Sequence, residues 1–372
     1  MSEHKFKIDQ HTKHVVHFDR VIIFTALLLI LISIVLISSA SVQEAFTTKG
    51  DSYYYFKRQL VFVSVAVVWG LLMTSIPSKA WFDAALPLLG IALFLMVLVL
   101  IIGREVNEAK RWIAIGPINL QPAEILKLVW IIYFSSYASR KIEMVRHEKA
   151  GFIKPMMFLV GISFLLLLQP DFVAGAGLLK YLITLCFVAA AGGLMIIFQP
   201  YRIARVTSFL DPWQDRFGSG YQLTQSLMAF GRGGLTGDGI GNSIHKLGYL
   251  PEAHTDFITS ILGEECGFIG VCFVIFLEFI IVTKAIILAT RILRQRAQFQ
   301  GYVAFAIGLF FCLQTVINIG AASGGLPTKG LTLPLVSYGG SSLVVCIWAV
   351  AILLRIDYEW RTEQLGEFKY NN

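Results

Sequence analysis

Apolar runs about as long as a bilayer is thick recur along this chain, at 20–41, 59–76, 84–102, 122–138, 152–168, 181–198, 257–283, 301–320 and 335–354. Coiled as a helix, roughly 20 residues cross the ~30 Å of hydrocarbon. In lipid, backbone amides find partners only within the segment, so each run is expected to be a helix. An apolar fraction of 56% with only 15% charged residues excludes an ordinary soluble domain. The expectation is an all-α, polytopic helical bundle of nine clear transmembrane helices.

The net charge of +7 does not point to nucleic acid, because the cations gather beside particular runs. Arg140, Lys141, Arg146, Lys149 and Lys154 follow the fourth, and Lys284, Arg291, Arg294 and Arg296 follow the seventh. That bias marks cytoplasmic loops. Lys5, Lys7, Lys13 and Arg20 put residues 1–19 on the same side as a tail, and Arg355 and Arg361 do so for a second tail at 357–372. Between them, 20–356 reads as one membrane domain. The first run is too long for a signal-peptide core and lacks a clear cleavage site, so it is read as a retained span. The five cysteines lie in apolar segments at spacings of neither a metal cluster nor a disulfide framework.

Residues 199–256 form the one long polar loop, and their mixed charges assign them to the outer side. Ordered loops of this length are uncommon unless they do something. Gly103–Gln121 and Gly320–Gly340 make two smaller outer patches. Residues 172–200 are too short for a there-and-back crossing, leaving room for one span and a short re-entrant piece.

Ionisable groups within spans are functional hypotheses by default. Glu124 and Lys127 share a helix face and read either as a structural ion pair or as the lining of a polar cleft. Glu264 and Glu265 pose the same choice. Asp256, after Pro251, Glu252, His254 and Thr255, reads as a helix cap or as a general base. Gly231-Arg232-Gly233-Gly234 and Gly237-Asp238-Gly239-Ile240-Gly241 lack the lysine and the preceding strand of a nucleotide site. They read as turn glycines, or as amides offered to a diphosphate.

Six motifs in order, Arg111-Trp112-Ile113, Gln121-Pro122-Ala123-Glu124, Gln169-Pro170-Asp171, Gly220 to Ser226, Tyr249 to Phe257 and Leu333 to Gly340, resemble the SEDS family of FtsW, RodA and SpoVE. Gln225 to Gly233, Leu326 to Thr332 and Arg355 to Glu359 look most like its FtsW branch from Gram-negative bacteria. The resemblance implies a multi-pass inner-membrane protein of the division septum that polymerises lipid II into β-1,4 glycan strands on the periplasmic face. It implies Asp256 as the catalytic base. It also implies substrate contacts from Arg111, Trp112, Gln121, Glu124, Lys127, Asp171, Arg232, Glu252, His254, Thr255, Lys329 and Ser337.

A divalent cation, magnesium or manganese, is the cofactor such a site could use, with no nucleotide. The partners implied are lipid II, the nascent glycan strand, a class B penicillin-binding protein transpeptidase of the FtsI kind and other divisome membrane proteins. A lipid II flippase and a non-enzymatic divisome scaffold are the rival readings. Family members carry ten helices, and here the sixth reads as truncated within residues 172–200.

Overall fold

The computed structural model describes residues 17–106, 109–115, 118–147, 209, 211–327 and 330–370. The expected spans at 152–168 and 181–198, the shortened 172–200 segment, Asp171 and Lys329 lie outside the described residues. Ten α-helices and three short strands are described: α1 Arg20–Ala40, α2 Val42–Lys49, α3 Tyr54–Ser75, α4 Ser78–Ile102, β1 Arg104–Val106, β2 Ala109–Ile115, β3 Ile118–Leu120, α5 Pro122–Arg140, α6 Ile142–His147, α7 Tyr221–Gly233, α8 Ile258–Arg294, α9 Gln298–Ala322 and α10 Gly340–Tyr370.

Among the described residues, six helices are long and apolar enough to cross a membrane, namely α1, α3, α4, α8, α9 and the Gly340–Gln364 stretch of α10. The expected 122–138 run forms α5, which carries Glu124 and Lys127 and is not among the six. Helix starts follow local chemistry. The Asp19 side chain caps α1, accepting from the Val21 amide at 2.8 Å and the Ile22 amide at 3.3 Å. Pro122 opens α5, where its missing N–H costs nothing, and Arg140 sits in the last turn beside the helix's negative end.

The wholly helical expectation needs one correction. Arg104–Val106, Ala109–Ile115 and Ile118–Leu120 form a three-stranded antiparallel sheet in the order β1-β2-β3. Arg104 pairs with Trp112 and Glu105 with Lys110, so Arg111 is the extra residue of a bulge; Ile113 pairs with Leu120 on the other side. Strands β1 and β3 are only three residues long, and the seven residues of β2 do not alternate between apolar and polar, so no strand pattern marked them.

A second correction concerns the end of the chain. The last helix was expected to stop near 354 and give way to a tail, but α10 continues to Tyr370. Arg355–Glu359 and Arg361–Asp357 pairs at i,i+4 support the continuation. At its other end α10 starts at Gly340 rather than 335, because Leu335 sits at φ +57 and breaks the approach.

Helix α10 is the central column, packed on α3, while α8 lies on α9, α7 and α1, and α4 on α5. From Leu343 to Ile356 it is buried almost throughout. The outward faces of α1, α3, α4 and α8 carry Phe24, Leu71, Leu86, Phe94 and Phe276 exposed, the surface expected against lipid tails.

Helix α8 is one helix only in outline. At Gly267, φ +70 and ψ −171 interrupt it. The freed backbone groups pair with the loop after α7: Asp238 and Gly239 amides donate to the Glu264 and Glu265 carbonyls at 2.9 and 3.0 Å, while Phe268 and Ile269 amides donate to Gly234 and Leu235 carbonyls at 2.9 and 3.2 Å. A side chain at 267 would run into the Leu235 carbonyl and the Gly237 amide. Glycine is required there on both counts.

Candidate active site

Two irregular segments meet where α8 begins. The first is Pro251–Phe257. Glu252 is held at φ +54, and its carbonyl accepts from the Thr255 amide at 3.2 Å and the Phe257 amide at 3.3 Å. The Thr255 hydroxyl donates to Glu252 Oε2 at 2.6 Å. The cap position of α8 is Phe257, whose side chain makes no cap hydrogen bond, and the Thr255 hydroxyl is committed to Glu252. A residue held at positive φ without being glycine is the kind of strain that clusters at working sites.

The second segment runs from Gly330 to Gly339. Tyr338 donates its amide to the His254 carbonyl at 2.9 Å, and the Ser337 hydroxyl accepts from the Leu333 amide at 2.7 Å. A Cβ placed on Gly330 would sit 2.9 Å from Asp256 Oδ2, so the backbone passes directly beside the carboxylate. Asp256 itself is partly exposed.

Asn318 of α9 ties the two together. Its Nδ2 donates to the Asp256 carbonyl at 2.9 Å and the Leu331 carbonyl at 2.5 Å, and its Oδ1 accepts from the Thr259 hydroxyl at 2.6 Å. One turn earlier, Gln314 donates to the Thr332 carbonyl at 2.9 Å, and the Thr332 and Ser342 hydroxyls lie 2.7 Å apart. Ser341 accepts from the Gln121 amide at 2.9 Å, which brings the start of α5 to the same network. Asn318 and Gln314 were missed by the sequence reading. Their signal was present: two amides four residues apart on one face of an apolar helix.

His254 lies inside this structure, 3% exposed. Its ring is 4.5 Å from that of Tyr55 and 5.2 Å from that of Tyr338. Its Nδ1 is 3.1 Å from Glu44 Oε2. The hydrogen bond from His254 outweighs partial burial and holds the Glu44 carboxyl below the usual range. Burial pushes the Tyr338 hydroxyl up to about 12, so it stays a neutral donor.

Other expected residues lie around this centre. Glu124 and Lys127 pair at 2.7 Å, both largely buried, with the ammonium 5.6 Å from the Phe310 ring. Arg111 and Trp112 sit partly buried on β2. Arg232 is turned to another cluster, bonding Asp238 at 2.5 Å with Glu264 at 3.6 Å. There Glu264 accepts from the Ser243 hydroxyl and from the Ile244 amide at 3.0 Å, and Glu265 accepts from Ser39 at 2.6 Å and Lys246 at 2.8 Å. The neighbouring carboxylates thus fasten the long loop to α1 and α8. Three amides of the second glycine-rich turn, those of Gly237, Asp238 and Gly239, are taken in the same way by the Gly233, Glu264 and Glu265 carbonyls. Among the described residues, no three His, Cys, Asp or Glu side chains converge on a metal position.

A partly exposed carboxylate, fixed through its own backbone and flanked by a glycine that leaves space beside it, is suited to accept a proton from a bound hydroxyl. The family model described as a cell cycle protein, FtsW/RodA/SpoVE, matches residues 19–362. The chain belongs to that family. A relative from Tolumonas auensis called probable peptidoglycan glycosyltransferase FtsW is 48% identical, covering 93% of this chain and 94% of its own. One of the same name from Escherichia coli O157:H7 is 41% identical over 97% of this chain and 91% of the relative.

Among solved structures, a chain of a peptidoglycan synthase complex that coordinates polymerization and crosslinking superposes with a TM-score of 0.73 at 26% identity, covering 92% of this chain and 99% of that one. The rod shape determining protein RodA of Thermus thermophilus superposes with a TM-score of 0.62 at 26% identity, covering 92% and 97%. With six membrane-crossing helices among its described residues, this family member is an integral membrane protein.

Proposed function

We propose that this chain is a peptidoglycan glycosyltransferase that polymerises lipid II at the division septum, on the periplasmic face of the inner membrane. In this reading it has nine spans, with residues 199–256 outside. The names of its relatives support the activity. The observation that carries the site is the convergence of Asn318, Gly330 and the Pro251–Phe257 turn on Asp256.

Asp256 takes the proton from the 4-hydroxyl of the acceptor GlcNAc as that oxygen attacks C1 of the MurNAc at the reducing end of the growing chain. The new O4–C1 bond forms as the bond from C1 to the diphosphate oxygen breaks, and undecaprenyl diphosphate leaves with the electron pair. Attack from the opposite face turns an α-linked diphosphate into a β-1,4 glycosidic bond. The departing diphosphate needs positive charge near it. Arg111, Lys127, Arg232 and Lys329 are the cations proposed from the family motifs; Lys127 already has a carboxylate partner in Glu124, and Arg232 has Asp238 and Glu264. The chain's described residues build no metal cage. A magnesium or manganese ion would therefore take most of its oxygen ligands from substrate and water, and no step here runs through one.

The partner proposed is a class B penicillin-binding protein transpeptidase of the FtsI kind, among other divisome membrane proteins, in keeping with the synthase complex to which the chain is similar. The test is polymerisation of purified lipid II by the full chain with that partner, read as glycan strands on a gel. Asp256→Asn is expected to lower the rate ~100-fold to 10,000-fold, the range of a lost general base. Normal strands from that variant remove Asp256 as the base. Lipid translocation by the wild type without any strands would favour the flippase.

A further inference from the structure

We propose that Glu44 is a positioning residue for polymerisation, which acts through His254 to hold the turn that carries Asp256. The inference rests on the glycosyltransferase reading above. Glu44 belongs to α2, a short helix remote in sequence from the catalytic turn, and no motif drew attention to it.

His254 stands two places before Asp256 and is fixed at both of its ends. Its backbone carbonyl is taken by the Tyr338 amide at 2.9 Å, and its ring lies between Tyr55 and Tyr338. Flat ring contacts alone leave an imidazole free to flip about its last torsion. Glu44 Oε2, 3.1 Å from Nδ1, restricts that freedom by setting a carboxylate oxygen against one ring nitrogen and not the other. An orienting carboxylate behind a histidine recurs in catalytic sites because geometry there must hold to a fraction of an ångström. The charged and titratable groups around the pair are few. Glu252 and Tyr54 act on Tyr55, and Arg58 acts on Tyr338 from α3. Among these charged side chains, Glu44 is the one within ion-pair distance of the imidazole, whose faces lie against Tyr55 and Tyr338.

The test is a double-mutant cycle on the full chain, assayed for lipid II polymerisation with the partner transpeptidase. Glu44→Ala is expected to lower kcat ~10-fold to 100-fold with KM for lipid II unchanged, the scale of a displaced catalytic group. Glu44→Gln, whose amide oxygen can still accept from Nδ1–H, should keep most of the rate. In a His254→Gln background, Glu44→Ala should cost nothing further, because its effect passes through the ring. Hydrogen exchange across residues 252–257 should rise in Glu44→Ala and stay as in the wild type in Glu44→Gln.

Equal kcat in Glu44→Ala and wild type, or additive losses in the cycle, would overturn the proposal. If Glu44→Ala does not fold, a Glu44→Gln rate as low as that of His254→Gln overturns it instead. If the wild type makes no strands, the glycosyltransferase reading is what fails. If the wild type does and the Glu44 variants match it, only this inference falls.

Discussion

The two ends of α1 are held in different ways. At its start, Asp19 receives Lys284 at 2.9 Å and Arg361 at 3.1 Å, and Arg361 also pairs with Asp357 at 2.9 Å. These are side chains meeting side chains across regular helices, partly in contact with solvent. At the other end Ser39, Lys246 and Glu265 also meet side chain to side chain, but around Asp256 the bonds run mostly from side chains to backbone, or from backbone to backbone, and what they fix is irregular chain. Charge pairs at the first end can be exchanged or screened without moving a helix axis. Hydrogen bonds to buried carbonyls have no substitute, since an unmet partner in a dry interior keeps its full desolvation cost. Around Asp256 the geometry of irregular chain is fixed bond by bond, while at the start of α1 helices are only joined.

The largest effect is expected from Gly267→Ala. The new methyl meets the Leu235 carbonyl and Gly237 amide at a positive φ, and we expect a loss of ~3 kcal/mol or more, with activity abolished, read by thermal unfolding in detergent and by strand synthesis. Next comes Asn318→Ala, which strands the Thr259 hydroxyl and the Asp256 and Leu331 carbonyls. A loss of ~2–4 kcal/mol is expected, with polymerisation falling further than stability alone explains.

Gly330→Ala should do the reverse, costing little stability while cutting the rate on the order of 10-fold, because its methyl would press on the Asp256 carboxylate. The smallest effect belongs to the start of α1: Asp19→Asn should cost ~1 kcal/mol at neutral pH. Burial opposes the Asp19 charge, but Lys284 and the Ile22 and Val21 amides outweigh it and hold the carboxyl below its usual range. Its contribution is therefore complete above about pH 4 and fades as pH falls through the lowered value. Melting curves of wild type and Asp19→Asn should converge in acid.

Much of the bundle was legible because a bilayer imposes a length, and seven of the expected runs fall on described helices. The β1-β2-β3 sheet was not, since two of its strands have three residues and the seven of β2, Ala109-Lys110-Arg111-Trp112-Ile113-Ala114-Ile115, do not alternate. The break at Gly267 was hidden in an apolar block, where one glycine is ordinary. At the candidate site the Pro251–Phe257 motif stood out through its polar density, and Gln314 and Asn318 could have been found by asking why two amides share a face in an apolar span. Glu44 could not have been found this way. Nothing in its neighbourhood in sequence says that His254 will come to rest against it, and only the packing of α2 on the loop end of the bundle brings them together.

The interruption of α8 also makes residues 234–239 part of that helix's own bonding. The Gly234 and Leu235 carbonyls and the Asp238 and Gly239 amides complete the four backbone groups that the break at Gly267 sets free. A tag or deletion placed between Gly234 and Gly239 would therefore act as a lesion in the middle of α8, although it lies about thirty residues away in sequence.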